Sequence, residues 1–397
     1  LSWLAAHRVG VWAFLVTVAF VPGIMSAAIV PRWAVIALGI PLVSQIRWQI
    51  PTGLQLAVAA GVAWSAASII HAPDQLDSLL QFFFMLCLIC VMGVASQVDD
   101  LTEALSGMCW GLGLSSLVCL IAWRHGHFLA TSHPELFPGL FYNAEVLVEL
   151  CAPLLVWAAV TRRWHFVAIA AVPILLNNSR IPIVAVMIGL MFAFWPKDWR
   201  ARLALGMAGI VLACSVVAYM TFGHFKLGSA AGRIVSWLTA AYAITPSGQG
   251  FGWFRATHGG DEFAHSDILQ AFAEIGIGAL LFALIPVYAL RNRRAHAERA
   301  AFVVICTELA VSFPIHVPAT GFLAALLAGY LVRDRLGVRG LQYGGRDSVG
   351  DRDGWYPAAA GAVIGGGRRR SFYLPLGPEA EELSAVGLSG SRAAGAR

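Results

Sequence analysis

The chain has 397 residues, 58% of them hydrophobic and 12% charged, where soluble domains carry about a quarter charged residues. Together with a mean hydropathy of +0.72, this excludes a soluble globular enzyme and predicts a polytopic membrane protein with no nucleic-acid partner. The net charge of +5 carries meaning only once it is divided between the two sides of a membrane.

Apolar runs recur at 9–30, 33–45, 53–71, 78–96, 104–123, 140–160, 164–177, 182–196, 203–222, 267–290, 300–317 and 319–332. A helix needs about 20 apolar residues to cross some 30 Å of hydrocarbon. The expected fold is therefore all-α: a bundle of about 12 transmembrane helices forming one domain, 1–336, with a single long loop at about 223–266. Residues 337–397 are rich in Gly, Arg and Ala without apolar periodicity, and read as a disordered cytoplasmic tail. All seven cysteines fall inside apolar runs and read as small core residues, the Cys87/Cys90 pair included.

With the N-terminus in the cytoplasm, the outer segments hold Arg32, Arg124, Arg180, Lys226, Arg233 and Arg255. The inner segments, from Arg8 to Arg339, hold more than twice as many basic residues, as the positive-inside rule requires. Asp99, Asp100 and Glu103 then lie inside and read as an acidic helix start. His125, His127 and His133 lack the spacing of a zinc site. Asn143 and Glu145 open the sixth span from outside; Glu145, Glu149 and Glu308 are expected to face the bundle interior.

Three outer-face segments carry candidate chemistry. In "LLNNSRIPIVAVMIGL" the chain turns through Asn177–Ser179 and restarts a helix near Pro182. Arg180 thus stands at a helix N-terminus, suited to a phosphate or diphosphate, or to snorkelling towards lipid headgroups. In the long loop, "GRIVSWLTAAYAI" places Arg233 on a helix lying along the membrane surface, with Ile234, Trp237, Leu238 and Tyr242 on one side. The glycines of "PSGQGFGWF" permit tight turns and close backbone approach.

The third segment is "HSDILQAFAEIGIG" (265–278). Asp267, Gln270 and Glu274 stand at i, i+3 and i+7, so they share one helix face. Glu274 lies roughly 10 Å below Asp267, a depth that obliges this face to point into the bundle. Asp267 is expected to interact with the helix's N-terminal N–H groups. Gln270 and Glu274 are expected to orient a neighbour such as Arg180 or to hydrogen-bond across helices. His265 is the side chain here that takes a proton near neutral pH without large tuning, and it also suits a helix cap. No P-loop, Rossmann fingerprint or nucleophile elbow is present.

On "GLFYNAEVL" (139–147), "NNSRIP" (177–182), "GRIVSWLTAAYAITPSGQGFGWF" (232–254) and "HSDILQAFAEIGIG", in this order, residues 135–335 resemble the O-antigen ligase and polymerase superfamily of bacterial envelope glycan assembly. The sequence departs from the family pattern at Glu145 (usually Asn), Ile181 (Gly) and Ser266 (Asn), and in the glycine spacing after Pro246 and at Gly278. The resemblance implies a multi-pass inner-membrane glycosyltransferase similar to lipid-carrier-dependent enzymes of the GT-C type. Its donor would be an undecaprenyl-diphosphate-linked glycan, its acceptor lipid A–core or another glycan, its active site periplasmic, and its chemistry inverting, with no cofactor and no metal. It further implies that Arg180 and Arg233 hold the diphosphate and that His265 deprotonates or orients the acceptor hydroxyl. Asn143, Asp267, Gln270 and Glu274 would bind or support. Ligase, polymerase and protein O-oligosaccharyltransferase activities all fit. A secondary transporter of an anionic substrate is the alternative from another class; it would place its charges near the midplane in inverted repeats.

Overall fold

A computed structural model describes residues 7–21, 29–43, 48–124, 137–141, 143–177, 179–195, 227–258, 264–292 and 295–333. The expected span at 203–222, Lys226, the histidines at 125, 127 and 133, and the expected tail at 337–397 lie outside the described residues. All regular structure among the described residues is helical, with no strand. This is what apolar surroundings impose, since each backbone N–H and C=O has to find its partner within the segment.

The helices are α1 (Arg8–Val18), α2 (Val30–Val43), α3 (Thr52–Ser68, extended by a 3-10 turn, Ile69–His71), α4 (Gln75–Ala95) and α5 (Thr102–Arg124). A 3-10 turn at Gly139–Phe141 leads to α6 (Ala144–Val160), α7 (Trp164–Asn177) and α8 (Arg180–Ala193). Then come α9 (Leu227–Tyr242), the short α10 (Trp253–Thr257), and α11 (Asp267–Ile275) with α12 (Ala279–Arg291), parted by a 3-10 turn at Gly276–Gly278. The series ends with α13 (His296–Val311) and α14 (Pro318–Val332).

Among the described residues, four segments are long and apolar enough to cross a membrane: Thr52–His71, Gln75–Ala95, Thr102–Ala122 and Asp267–Arg291. The protein is thus all-helical and membrane-associated. The other helices in expected spans are shorter; α8, for example, has 14 residues and a length of about 21 Å.

Sequence-local caps start several helices. Asp74 Oδ1 accepts the Asp77 N–H at 3.0 Å, Asp100 Oδ1 that of Thr102 at 2.8 Å, and Asn143 Oδ1 that of Glu145 at 2.8 Å. The acidic helix start expected at 99–103 is therefore a real one. Asp99 also meets Arg333 at 2.7 Å, and Glu103 meets His7 at 2.9 Å. These contacts join residues expected on the inner side to one another. On the other side, Arg32 is 2% exposed and ties the carbonyls of Val16, Thr17 and Leu140 together, its guanidinium 4.0 Å over the Phe141 ring.

The axis of the bundle is α14. Every residue from Pro318 to Val332 is buried, which explains why this helix is apolar on all sides. It packs on α4, α12 and α13, and Phe322 meets Trp12 edge-on at 4.8 Å. Close packing between helices in such surroundings depends on small residues. Where α1 crosses α5, a Cβ on Gly107 would overlap the Gly10 carbonyl, whereas one on Gly113 of the same helix would sit 3.5 Å from Ile169.

We expect Gly107→Ala to lower the thermal stability of the detergent-solubilised protein by about 1–3 kcal/mol through overpacking. Gly113→Ala should leave it unchanged or raise it, because alanine is the better helix former. Equal melting temperatures for the two variants would contradict the α1–α5 contact.

Candidate functional site

The site is assembled at the start of α11. Ser266 caps this helix, its Oγ accepting the Leu269 N–H at 3.3 Å; Asp267 stands in the first turn, but its carboxylate does not accept the helix's own N–H groups. Asp267 reaches instead to the turn between α13 and α14. Its Oδ2 accepts the Ile315 N–H at 2.9 Å, its Oδ1 stands 2.6 Å from His316 Nδ1, and its own N–H donates to the Ser312 carbonyl at 3.0 Å. Sequence reading passes over His316. It lies 49 residues from Asp267, and no local spacing marks it.

Gln270 sits one turn further in. Its Oε1 accepts the Ala264 N–H at 3.1 Å, which turns its amide nitrogen towards Glu274 Oε1 at 3.0 Å and His316 Nε2 at 3.4 Å. Glu274, 3% exposed, accepts the N–H of Gly252 at 3.0 Å and of Phe254 at 3.3 Å. Hydrogen bonding across elements, one of the two roles expected for these residues, is what they perform. Their partners are α10, Ala264 and His316 rather than Arg180.

The glycine-rich loop explains the burial of Glu274. The N–H groups of Gln249 and Gly250 donate to the carbonyls of Ala273 and Glu274 at 2.8 and 3.0 Å, and Ile277 N–H donates to Pro246 O at 3.1 Å. Gly248 (φ +78°) and Gly276 (φ +54°) face each other's chains so closely that a Cβ on either would overlap backbone, at the Glu274 carbonyl and at the Pro246 carbonyl respectively. These glycines seat the loop on the end of α11, and the Glu274 carboxylate then satisfies the first N–H groups of α10.

On α9, Ile234, Leu238 and Tyr242 are 52%, 51% and 87% exposed, an apolar row open to the surroundings as expected of a helix along a bilayer surface. Trp237, expected on the same side, turns inward and donates its Nε1–H to the His265 carbonyl at 2.9 Å. One turn earlier, Arg233 meets both carboxylate oxygens of Glu145 at 3.4 Å. Glu145 was expected to face inward; its side chain is 51% exposed, because it occupies the first turn of α6 beside the capping Asn143. Glu149 and Glu308 are buried as expected, and the Ser312 hydroxyl donates to Glu149 Oε1.

His265 adopts φ +53°, a left-handed conformation uncommon among non-glycine residues, although histidine, asparagine and aspartate adopt it more often than most. Its ring centroid lies 5.3 Å from that of Phe313. Arg233 and His265 are thus joined through α9. Arg180 opens α8, two residues before the expected Pro182. Gly189 of α8 abuts α6 and α13, a Cβ there coming 3.2 Å from Val156 and 2.5 Å from Val304. Counting back about 1.5 Å per residue along the co-directional helices α8 and α6 sets the start of α8, and so the Arg180 backbone, at about the height of the second turn of α6. The chain matches no protein-family model and no curated protein.

Burial pushes the His316 imidazole down from its ordinary 6.5, but the charge of Asp267 and the hydrogen bond to it, with Glu274 behind, outweigh this and the opposing charge of Arg255, so its pKa is raised. A histidine that holds its proton more tightly when folded adds stability that is fully present below 6.5 and is lost as pH rises through the raised folded value. The melting temperature of the wild-type protein should therefore fall across that alkaline window, and His316→Leu should remove that part of the slope. Glu274→Gln sets an amide N–H against backbone N–H donors; we expect a loss of about 1–3 kcal/mol in thermal unfolding and faster proteolysis within 246–254.

Proposed function

We propose that the protein is a membrane glycosyltransferase with twelve crossings and a GT-C-like architecture. It transfers a glycan from undecaprenyl diphosphate to an acceptor hydroxyl at the periplasmic face of the bacterial inner membrane. The role favoured is that of an O-antigen ligase acting on lipid A–core, with polymerase and protein O-oligosaccharyltransferase activities as variants of the same chemistry. The observation that carries this reading is the link between Arg233 and His265, two residues far apart in sequence, through Trp237 of α9.

In this reaction the acceptor oxygen forms a bond to the anomeric carbon while the bond from that carbon to the diphosphate oxygen breaks, its electron pair leaving with the diphosphate. His265 receives the acceptor proton. Arg233 and Arg180 meet the negative charge that grows on the leaving group, by charge-assisted hydrogen bonds that strengthen in the transition state. A single displacement inverts the anomeric centre. Asn143 supports the site by capping α6, and Asp267, Gln270 and Glu274 by fixing the loops around α11.

One observation favours a second reading. Glu149 and Glu308 are 4% and 0% exposed, and among the described residues neither oxygen of Glu308 has a hydrogen-bond partner. Buried carboxyls of this kind line the interior of secondary transporters. Uptake of an anionic solute by proteoliposomes, abolished by Glu308→Gln, would support that reading over glycan transfer.

Complementation of strains lacking a ligase or a polymerase, scored by lipopolysaccharide banding, assigns the role by which defect the gene repairs. Arg180→Ala, Arg233→Ala and His265→Asn should each abolish transfer at unchanged protein levels; asparagine tolerates the left-handed backbone at position 265, which separates chemistry from folding. Full activity in any one of them removes that residue from the mechanism.

A further inference from the structure

We propose that His316 is a positioning residue for the transfer: paired with Asp267, it locks the 312–316 turn onto the start of α11 and so holds His265 in its strained backbone and working orientation. The inference rests on the glycan-transfer reading above.

A left-handed non-glycine residue costs on the order of 1–3 kcal/mol and persists only where its surroundings over-determine it. Around His265 those surroundings are Trp237 of α9, which holds its carbonyl, and the 312–316 turn. The turn supplies Phe313, against which the His265 ring packs, and Ser312, whose carbonyl takes the Asp267 N–H. The turn in turn is held by the Asp267 carboxylate, through Ile315 N–H and His316 Nδ1. The charged groups facing His316 are Asp267 and Glu274 of α11 and Arg255 of α10, with the Gln270 amide nitrogen 3.4 Å from Nε2. That amide is fixed by Ala264 N–H, so Nε2 faces a donor and is not open to a substrate. His316 therefore acts through Asp267 and His265 rather than on the acceptor itself.

The test compares His316→Asn with His316→Gln in the full-length protein, using an undecaprenyl-diphosphate-linked glycan and measuring turnover, KM for the donor and the pH profile. The asparagine amide falls near the position of Nδ1 and keeps a donor on Asp267; the glutamine amide falls near Nε2 and does not. His316→Gln should lower turnover roughly 10- to 100-fold with little change in KM. His316→Asn should recover most of the rate with a pH profile like that of the wild type, because the neutral imidazole, like the asparagine amide, still presents a donor to Asp267. Should His316→Gln fail to accumulate, Asp267→Asn gives the same split between turnover and KM, since its amide oxygen still accepts the Ile315 N–H. Equal rates for the asparagine and glutamine variants, or a loss expressed in KM, would overturn the inference. Full transfer by His265→Asn would overturn it too, whereas absence of transfer by the wild-type protein would instead sink the glycan-transfer reading on which it stands.

Discussion

A polar stripe on a helix among apolar neighbours persists only if each group on it is answered by a fixed partner. On α11 the answer takes one form three times. Asp267 holds the backbone of Ile315, Gln270 that of Ala264, and Glu274 those of Gly252 and Phe254. Side chains of a single helix face thus satisfy the open N–H groups of three non-helical segments. The turn between α13 and α14, the approach to α11 and the glycine-rich loop gather around α11 for this reason, and His265, Trp237 and Phe313 meet where those segments do.

The same constraint accounts for the break between α11 and α12. The segment Asp267–Arg291 is long enough to span a bilayer, yet it turns through a 3-10 step at Gly276–Gly278. Non-helical backbone is tolerated at such a place only where protein covers it. Trp64 supplies part of the cover, donating its Nε1–H to the Ile275 carbonyl at 2.8 Å, and Pro246 O takes the Ile277 N–H. The second glycine of the step lets the Trp64 ring lie against the chain. The break and the loop over it form one unit: without the loop, the exposed groups of the break would lack partners.

What could be read from the sequence was local. Asp267, Gln270 and Glu274 share a face because i, i+3 and i+7 fix it, and the caps at Asp74, Asp100 and Asn143 are spelled within a few residues of the helices they start. What could not be read was which distant backbone each polar group would find. Asp267 and His316 lie 49 residues apart, and Trp64 and Ile275 lie 211 apart, separations at which no periodicity carries information. Glu145 differs for a related reason: its apolar context suits an inward position, but its place in the first turn of α6 leaves it exposed, where it meets Arg233, 88 residues on. Trp237 fits the apolar row of α9 by spacing, yet the indole N–H gains more from the His265 carbonyl than from lipid.

The Arg233–Glu145 pair has the geometry of a contact made to be exchanged. Both N–O distances are 3.4 Å and the side chains are 21% and 51% exposed, so the pair adds little to stability. A guanidinium that is never without a counter-charge has no reason to collapse onto the helix or to draw a lipid headgroup permanently. For glycan transfer this has a directional consequence. In the proposed transfer a diphosphate would bring more charge than one carboxylate and fill the planar fork at shorter distance, so it would displace Glu145, while a monoanionic lipid would gain much less from doing so. In that proposed reaction the glutamate would make the arginine answer selectively to the more highly charged group, where the asparagine usual in the family the sequence resembles would leave Arg233 open to both.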